Sequence, residues 1–410
     1  MNLRHTPVAR VAFALLAMAI CLLLMREAAR IGFSRLLTRY ALVSNSLPAA
    51  DQALQLTPTD PDAHRARATV LKRLGRTAEA QTSLQFATGL RPHDNRLWLE
   101  LGDTRDELGD NEGALAAMNQ AVRWAPYYAK PRWQRGNLLL RIGRYNEAFS
   151  DLRYAASRDK KLQPTLIDLA WGLTGDAQAT ENLLQISNDN DRLTFARFLA
   201  AKGKGVDVDN QVRLLTTPLS DENKQELSRL LMAKRDFSTA YRLWAGVQSV
   251  ERVVNGGFEQ PLLLNGSPLG WVVAHPQTEP KFAIDVSEKV GGEKSLHVTF
   301  DGEWDASSPS LSQTVVVRPG QRYRLNFAVK TKDLVTGGPP RIVLTDATND
   351  QILARSDTFP RDTNSWRQVG VEFTAPADAL VIRLTRENCT SAPCPIFGLL
   401  WLDEFSLEKL

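Results

Sequence analysis

The chain has 410 residues, 43% of them apolar and 23% charged, with a formal net charge of +4. That length suits two or three domains of ordinary globular composition, and so small a basic excess argues against nucleic acid as a partner. Lys and Arg are mixed with acids on the helical stretches, the pattern of a solvated surface.

Residues 1–10 form a short tail, and Val11 to Met25 carries no charge. With Val8 to Arg10 added, the run makes about 23–27 Å of helix at 1.5 Å per residue, near the lower limit for a bilayer core of about 30 Å. No Ala-x-Ala site follows directly, and Ile20 stands before Cys21, where a lipoprotein signal needs a small residue. The expectation is an uncleaved transmembrane signal anchor at 11–25; a cleaved signal and a buried helix are the alternatives. Arg26, Arg30, Arg35 and Arg39 after the span outnumber Arg4 and Arg10 before it, which by the positive-inside rule favours a cytoplasmic C-terminal bulk.

Residues 26–60 read as a partial repeat, and 61–162 as three complete ones. Gly75, Gly109 and Gly143 are 34 residues apart, as are Ala80, Ala114 and Ala148, Ala87, Ala121 and Ala155, and Pro58, Pro92 and Pro126. Each unit holds two short amphipathic helices broken by Gly, and a single pair cannot bury its apolar face without neighbours. With small residues at the eighth place (Ala68, Gly102, Gly136), these units resemble the tetratricopeptide repeat (TPR); Lys160 stands where the third should have its Pro. The resemblance implies an α-solenoid whose first helices line a groove for a protein or peptide partner. Its groove places fall on Arg65, Thr69, Leu99, Asp103, Trp133, Asn137 and Arg141, with Trp133 as an anchor. A merely wet polar surface is the alternative. Residues 163–249 keep a weaker pattern, with helices at Arg192 to Ala201, Lys224 to Ala233 and Phe237 to Trp244, and read as degenerate pairs that cap the array.

From 250 to 410 the period changes to two. Tyr323, Leu325, Phe327 and Val329 alternate with polar residues, as in a half-buried strand. Similar runs occur at Phe282–Val286, Ser295–Phe300, Leu311–Val317, Arg341–Thr345, Gln368–Phe373, Leu380–Thr385 and Leu399–Leu407, separated by Gly and Pro turns. The expectation is an antiparallel β-sandwich, in particular a jelly roll. The fold class is thus multidomain, α then β.

The ordered set Val254-Asn-Gly-Gly-Phe258-Glu259, Gly270-Trp271, Val317-Arg-Pro-Gly320, Ser365-Trp366 and Trp401-Leu-Asp403-Glu-Phe-Ser406 resembles carbohydrate-binding modules of the family 4/9/22 type, among the galactose-binding-like jelly rolls. The resemblance implies a structural calcium at Glu259 and Asp403, whose carboxylates suit a hard cation; pairing with a base, or facing water, is the alternative. It also implies a glycan ligand, for which the candidates are Trp304 in a loop and Gln313, Arg324, Asn326, Arg341 and Arg383 on polar strand faces. Trp271 and Trp366 match core positions. The loop between Cys389 and Cys394 suits a disulfide, which needs an oxidising compartment and, with the module type, outweighs the Arg count in placing the bulk outside the cytoplasm.

No Gly-x-Ser-x-Gly, Walker loop or Gly-x-Gly-x-x-Gly after a strand occurs, and the five His are scattered without ligand spacing. The sequence therefore describes a non-enzymatic bacterial scaffold at the inner membrane, exposed to the periplasm. It would bind a protein through the repeats and a glycan through the sandwich, in the setting of cell-surface polysaccharide assembly or export. A pure protein-interaction scaffold whose sandwich binds no sugar is the alternative.

Overall fold

The structure is a computed structural model, and it describes residues 7–245, 251–262, 269–273, 280–302, 304, 310–389 and 394–410, with side chains from residue 11 onward. The chain divides after Gln185 into two compact units.

The first unit opens with α1 (Pro7–Ser44). Among the described residues it is the one helix long and apolar enough to cross a membrane. The helix does not stop at Met25. Its later part packs on α2 (Leu47–Leu56) and α3 (Pro61–Arg73), with Ala41, Ala50 and Val70 in one apolar cluster. Ser34 is buried and donates to the Ala53 carbonyl at 3.0 Å. The stretch 26–60 is thus a helix pair whose first member is continuous with the apolar run.

Three pairs follow: α3 with α4 (Thr77–Leu90), α5 (Asn95–Glu107) with α6 (Asn111–Trp124), and α7 (Ala129–Arg141) with α8 (Tyr145–Arg158). The repeated residues explain themselves locally. Gly75, Gly109 and Gly143 sit at φ of 76°, 79° and 80°, a left-handed helix end that side-chain-bearing residues adopt at a cost. At the eighth place, a Cβ on Gly136 would stand 2.7 Å from Leu152 Cγ, so the crossing helices meet nearly backbone to side chain. The repeated Pro carbonyls are satisfied six residues on by three different donors. His64 Nε2 lies 2.9 Å from Pro58 O, Trp98 Nε1 donates to Pro92 O at 2.7 Å, and Arg132 Nε to Pro126 O at 3.4 Å. The geometry repeats although the side chain does not. A 3-10 turn, α9 (Gln163–Thr174) and α10 (Ala177–Leu184) complete this unit.

The second unit begins with two more helix pairs, α11 (Asp189–Ala201) with α12 (Gly205–Arg213) and α13 (Asp221–Ala233) with α14 (Phe237–Ala245). The change from helix to strand falls near residue 250, but the compact unit starts earlier, because Phe237 and Tyr241 of α14 bury themselves with Leu269, Val316 and Ala379 of the β region.

Among the described residues ten strands form two antiparallel five-stranded sheets. One has the order β1 (Val272–Val273), β4 (Leu311–Val316), β9 (Ala379–Arg386), β6 (Pro340–Asp346), β7 (Ile352–Arg355). The other runs β2 (Lys281–Asp285), β3 (Ser295–Gly302), β10 (Ile396–Lys409), β5 (Arg322–Thr336), β8 (Asp362–Thr374). Alternate residues of both enter one core: Leu296, Val298 and Phe300 from β3, Leu325 and Phe327 from β5, Ile342 and Leu344 from β6, Ile382 and Leu384 from β9. The short β1 and β7 gave no periodic signal.

Candidate functional site

In the first unit the groove-assigned side chains meet from repeat to repeat. Arg65 Nε donates to Glu100 at 2.8 Å, Lys72 pairs with Glu107 at 2.8 Å, Arg141 pairs with Asp106, and Gln134 donates to Asp103 at 2.9 Å. The first three links span one repeat plus one residue. They tie each first helix to the next and leave the face nearly charge-balanced. Burial raises the Asp103 carboxyl above the ordinary carboxylate range, against the opposing pull of Lys72. Thr69 donates to the Arg65 carbonyl, Asn137 to the Trp133 carbonyl, and Trp133 is half-buried.

Leu99 has to be corrected. It is 4% exposed and packs with Ala114, Met118, Ala121 and Leu138, so it is not available to a partner. It shares its repeat position with Arg65 and Trp133. At that border the guanidinium stretches outward to Glu100, while the leucine turns into the apolar seam.

In the β region the six glycan candidates do not form one site. Trp304 is 7% exposed and stacks on Phe300 at 5.5 Å between ring centroids, so it belongs to the core and offers no sugar platform. Gln313 shares the inward face with Leu311 and Val315. Its amide is 1% exposed, accepts from the Val254 N–H at 3.0 Å and donates to the Val254 carbonyl at 2.8 Å. Arg324 and Asn326 lie on β5, where they reach Glu372 and Glu408. Arg324 and Asn326 converge over Gly370 of β8, and Arg341 and Arg383 come together on the outer face of the other sheet.

These two line a cleft of about 430 Å³, a volume within the usual range of ligand sites. Pairing sets its rows. Arg383 of β9 and Arg355 of β7 both stand opposite Val343 of β6, and Arg341 stands opposite Thr385. Side chains directly opposite in antiparallel strands lie about 5 Å apart at Cβ. Two guanidiniums therefore flank a valine across three strands, with a third one step along. Asp350 and Glu387, exposed at the rim, pair with Arg383 and Arg341. Thr345 is 3% exposed, yet its Oγ1 has no hydrogen-bond partner among the described residues; neither has Arg341 Nε. Burial, and then the charge of Arg355, hold the Arg341 guanidinium below its ordinary pKa. Arg386 closes one end, buried and donating to Trp304 O, Gly338 O and Cys394 O. Sequence reasoning missed Thr345 as a site residue and Arg355 altogether, because β7 is too short to show a polar face.

Among the described residues, those that carry the module resemblance hold the fold together. Asn255 bridges both backbone groups of Gln260, and Phe258, Trp271 and Phe405 pack mutually in one aromatic cluster. A Cβ on Gly256 would meet the Phe405 carbonyl oxygen at 2.0 Å. Asp403 accepts the N–H groups of Val290, Gly291 and Glu404, and Glu259 those of Glu293 and Lys294. Amide hydrogens aimed at both carboxylates occupy the directions a cation would need, and a calcium ion asks for six to eight oxygens. Among the described residues no group of three or more His, Cys, Asp or Glu converges. Two carboxylates that already receive backbone amides do not by themselves supply that oxygen set. Cys389 and Cys394 are bonded to each other.

Comparison with known proteins places one element securely: residues 96–128 match the family model of the tetratricopeptide repeat. Protein FlbA of Caulobacter vibrioides is 30% identical over 98 residues, which is 24% of this chain and only 16% of FlbA. The solved structure of YrrB, described as a TPR protein with an unusual peptide-binding site, is 19% identical, with 53% of this chain and 89% of that one covered at a TM-score of 0.29. A structure described as CBM4 is 13% identical, with 38% of this chain and 99% of that one covered at a TM-score of 0.28. The chain therefore carries a tetratricopeptide repeat, within a helical part of TPR type that is followed by a two-sheet antiparallel β region.

Proposed function

We propose that the protein is a membrane-tethered, non-catalytic interaction scaffold at a bacterial inner membrane, with its bulk in the periplasm. The first-helix face of the repeats docks a protein partner and the β region, which we read as a jelly roll, contacts a glycan. A role in assembling or exporting cell-surface polysaccharide joins the two. The single observation that supports partner docking is the matched repeat at 96–128, whose first helix is linked to the repeats on either side. The Cys389–Cys394 bond supports the oxidising compartment, and the apolar part of α1 supports the tether.

The test is a pull-down from membranes with the full chain, beside Trp133→Ala and Arg141→Ala. A partner retained by the parent and lost by both variants is expected. Capture that neither variant weakens would remove the repeat face from the function. Thiol labelling of intact cells is the second arm: Cys389 and Cys394 should label only after reduction, and ready labelling without reductant would place the bulk in the cytoplasm. The rival reading, in which the β region meets protein and no sugar, is favoured by the burial of Trp304, which deprives the surface of its expected aromatic platform.

A further inference from the structure

The outer face of the β1-β4-β9-β6-β7 sheet carries polar atoms that the fold itself does not use. Burying a hydroxyl without a partner forfeits its hydrogen bonds to water, so folds seldom retain one without a reason. Thr345 Oγ1 is such an atom, and Arg341 Nε lies in the same cleft. Their surroundings specify what would satisfy them. Arg341, Arg355, Arg383 and Arg386 bring four guanidiniums against the rim carboxylates Asp350 and Glu387 and the nearby Asp357, and Arg355 and Arg341 repel each other across the cleft. That excess calls for an anion, and guanidinium forks match a carboxylate in two-point contact.

The rim narrows the choice. Asp350 and Glu387 would repel a ligand with charge at every point, such as a polyphosphate, and they accept hydrogen bonds from hydroxyls. Val343 and Ile352 give a small aliphatic floor, and among the described residues no aromatic ring lines the cleft to hold a neutral sugar by stacking. A ligand with a carboxylate, several hydroxyls and an apolar ring edge fits every one of these groups.

We propose that this cleft binds a uronic-acid residue of an acidic polysaccharide. Its carboxylate lies between Arg355 and Arg383 over Val343, hydroxyls meet Asp350 and Glu387, and one meets Thr345 Oγ1 once that side chain turns out from its enclosed position. The proposal rests on the glycan reading above and narrows it to acidic polymers.

The experiment is calorimetry on the full chain in detergent micelles. Oligomers of galacturonate, mannuronate-guluronate and glucuronate are the probes, each beside its carboxyl-reduced neutral counterpart, with sodium sulfate as a further probe. Binding of at least one uronate, weakened tenfold or more on carboxyl reduction and by salt, is expected. Arg355→Gln and Arg383→Gln should each weaken it by about ten- to a hundredfold, the range for losing a charge-assisted hydrogen bond. Thr345→Val should weaken it less, with the melting temperature of all three variants close to the parent's. Equal binding of the neutral counterparts would overturn the acidic specificity and leave the glycan reading standing. Silence toward every polymer would overturn both, whether or not sulfate binds. Uronate binding that the three variants leave intact would place the site elsewhere and overturn the assignment to this cleft.

Discussion

Asp151 is the most demanding side chain of the helical unit, and replacing it tests how the repeats are held. It lies on α8 with its side chain 3% exposed, and two arginines of α7 converge on it. Arg132 Nη1 donates to Oδ1 at 2.9 Å; Arg135 Nη2 donates to Oδ1 at 2.8 Å and its Nε to Oδ2 at 2.5 Å. Arg135 also reaches back to Asn119 of the preceding repeat at 2.8 Å. Arg67, at the same place in the first repeat, does likewise with Asp51 behind it and Ser83 in its own repeat. Removing one partner from a buried ion pair costs about 3–5 kcal/mol, because the remaining charge is left without compensation. Here the arginine side chains are 25% and 21% exposed, so water takes over part of the loss. Arg132 also keeps its stacking on Tyr154. The expected cost of Asp151→Ala is therefore about 2–3 kcal/mol, or about 4–12 °C in melting temperature for a unit of this size. Thermal unfolding followed by far-ultraviolet circular dichroism gives the value. Asp151→Asn, which keeps shape and one acceptor, should fall between parent and Ala. Replacing all three groups with apolar residues of similar volume should recover most of the loss. An Asp151→Ala melt within a degree of the parent would refute the view that this network joins the repeats.

Three further outcomes follow from the second unit. Asp189 accepts the hydroxyl and backbone N–H of Thr216, then those of Thr217, which lowers its pKa to about 2. The lowered value stabilises the fold above the ordinary carboxylate pKa, and that contribution is lost as pH falls from about 4 toward 2. The gap in melting temperature between parent and Asp189→Asn should accordingly close over that window; a gap that stays constant to pH 2 would show that the hydrogen bonds do not hold the charge. Trp304→Ala should cost about 3–5 kcal/mol as a core truncation, and a variant of parental stability would return Trp304 to the surface. Millimolar EDTA or calcium should leave the melt unmoved, since backbone amides already engage both oxygens of Asp403 and Oε1 of Glu259. A calcium-dependent rise would reinstate the metal.

How much could be read beforehand depended on what a short range of sequence controls. The 34-residue spacing of Gly75, Gly109 and Gly143 marks a backbone state that a single residue sets, so the helix pairs were legible. The period of two in β5 was legible because one wet face and one dry face impose it on every second residue. Gln313 could have been placed correctly by the same parity, since it alternates with Leu311 and Val315. Its polar side chain suggested the wrong face because its hydrogen-bond partner, Val254, lies 59 residues away.

The order of segments, the repeat register and the apolar run at 11–25 were determined by the amino-acid sequence alone, because each is a matter of local pattern. Tertiary structure alone decided that Leu99 turns inward where Arg65 turns outward, that Glu259 and Asp403 receive amide hydrogens, and that Arg341, Arg355 and Arg383 share one cleft. Those outcomes depend on which helix or strand lies beside which. That neighbourhood is a property of the folded chain and leaves no mark in any short stretch of it.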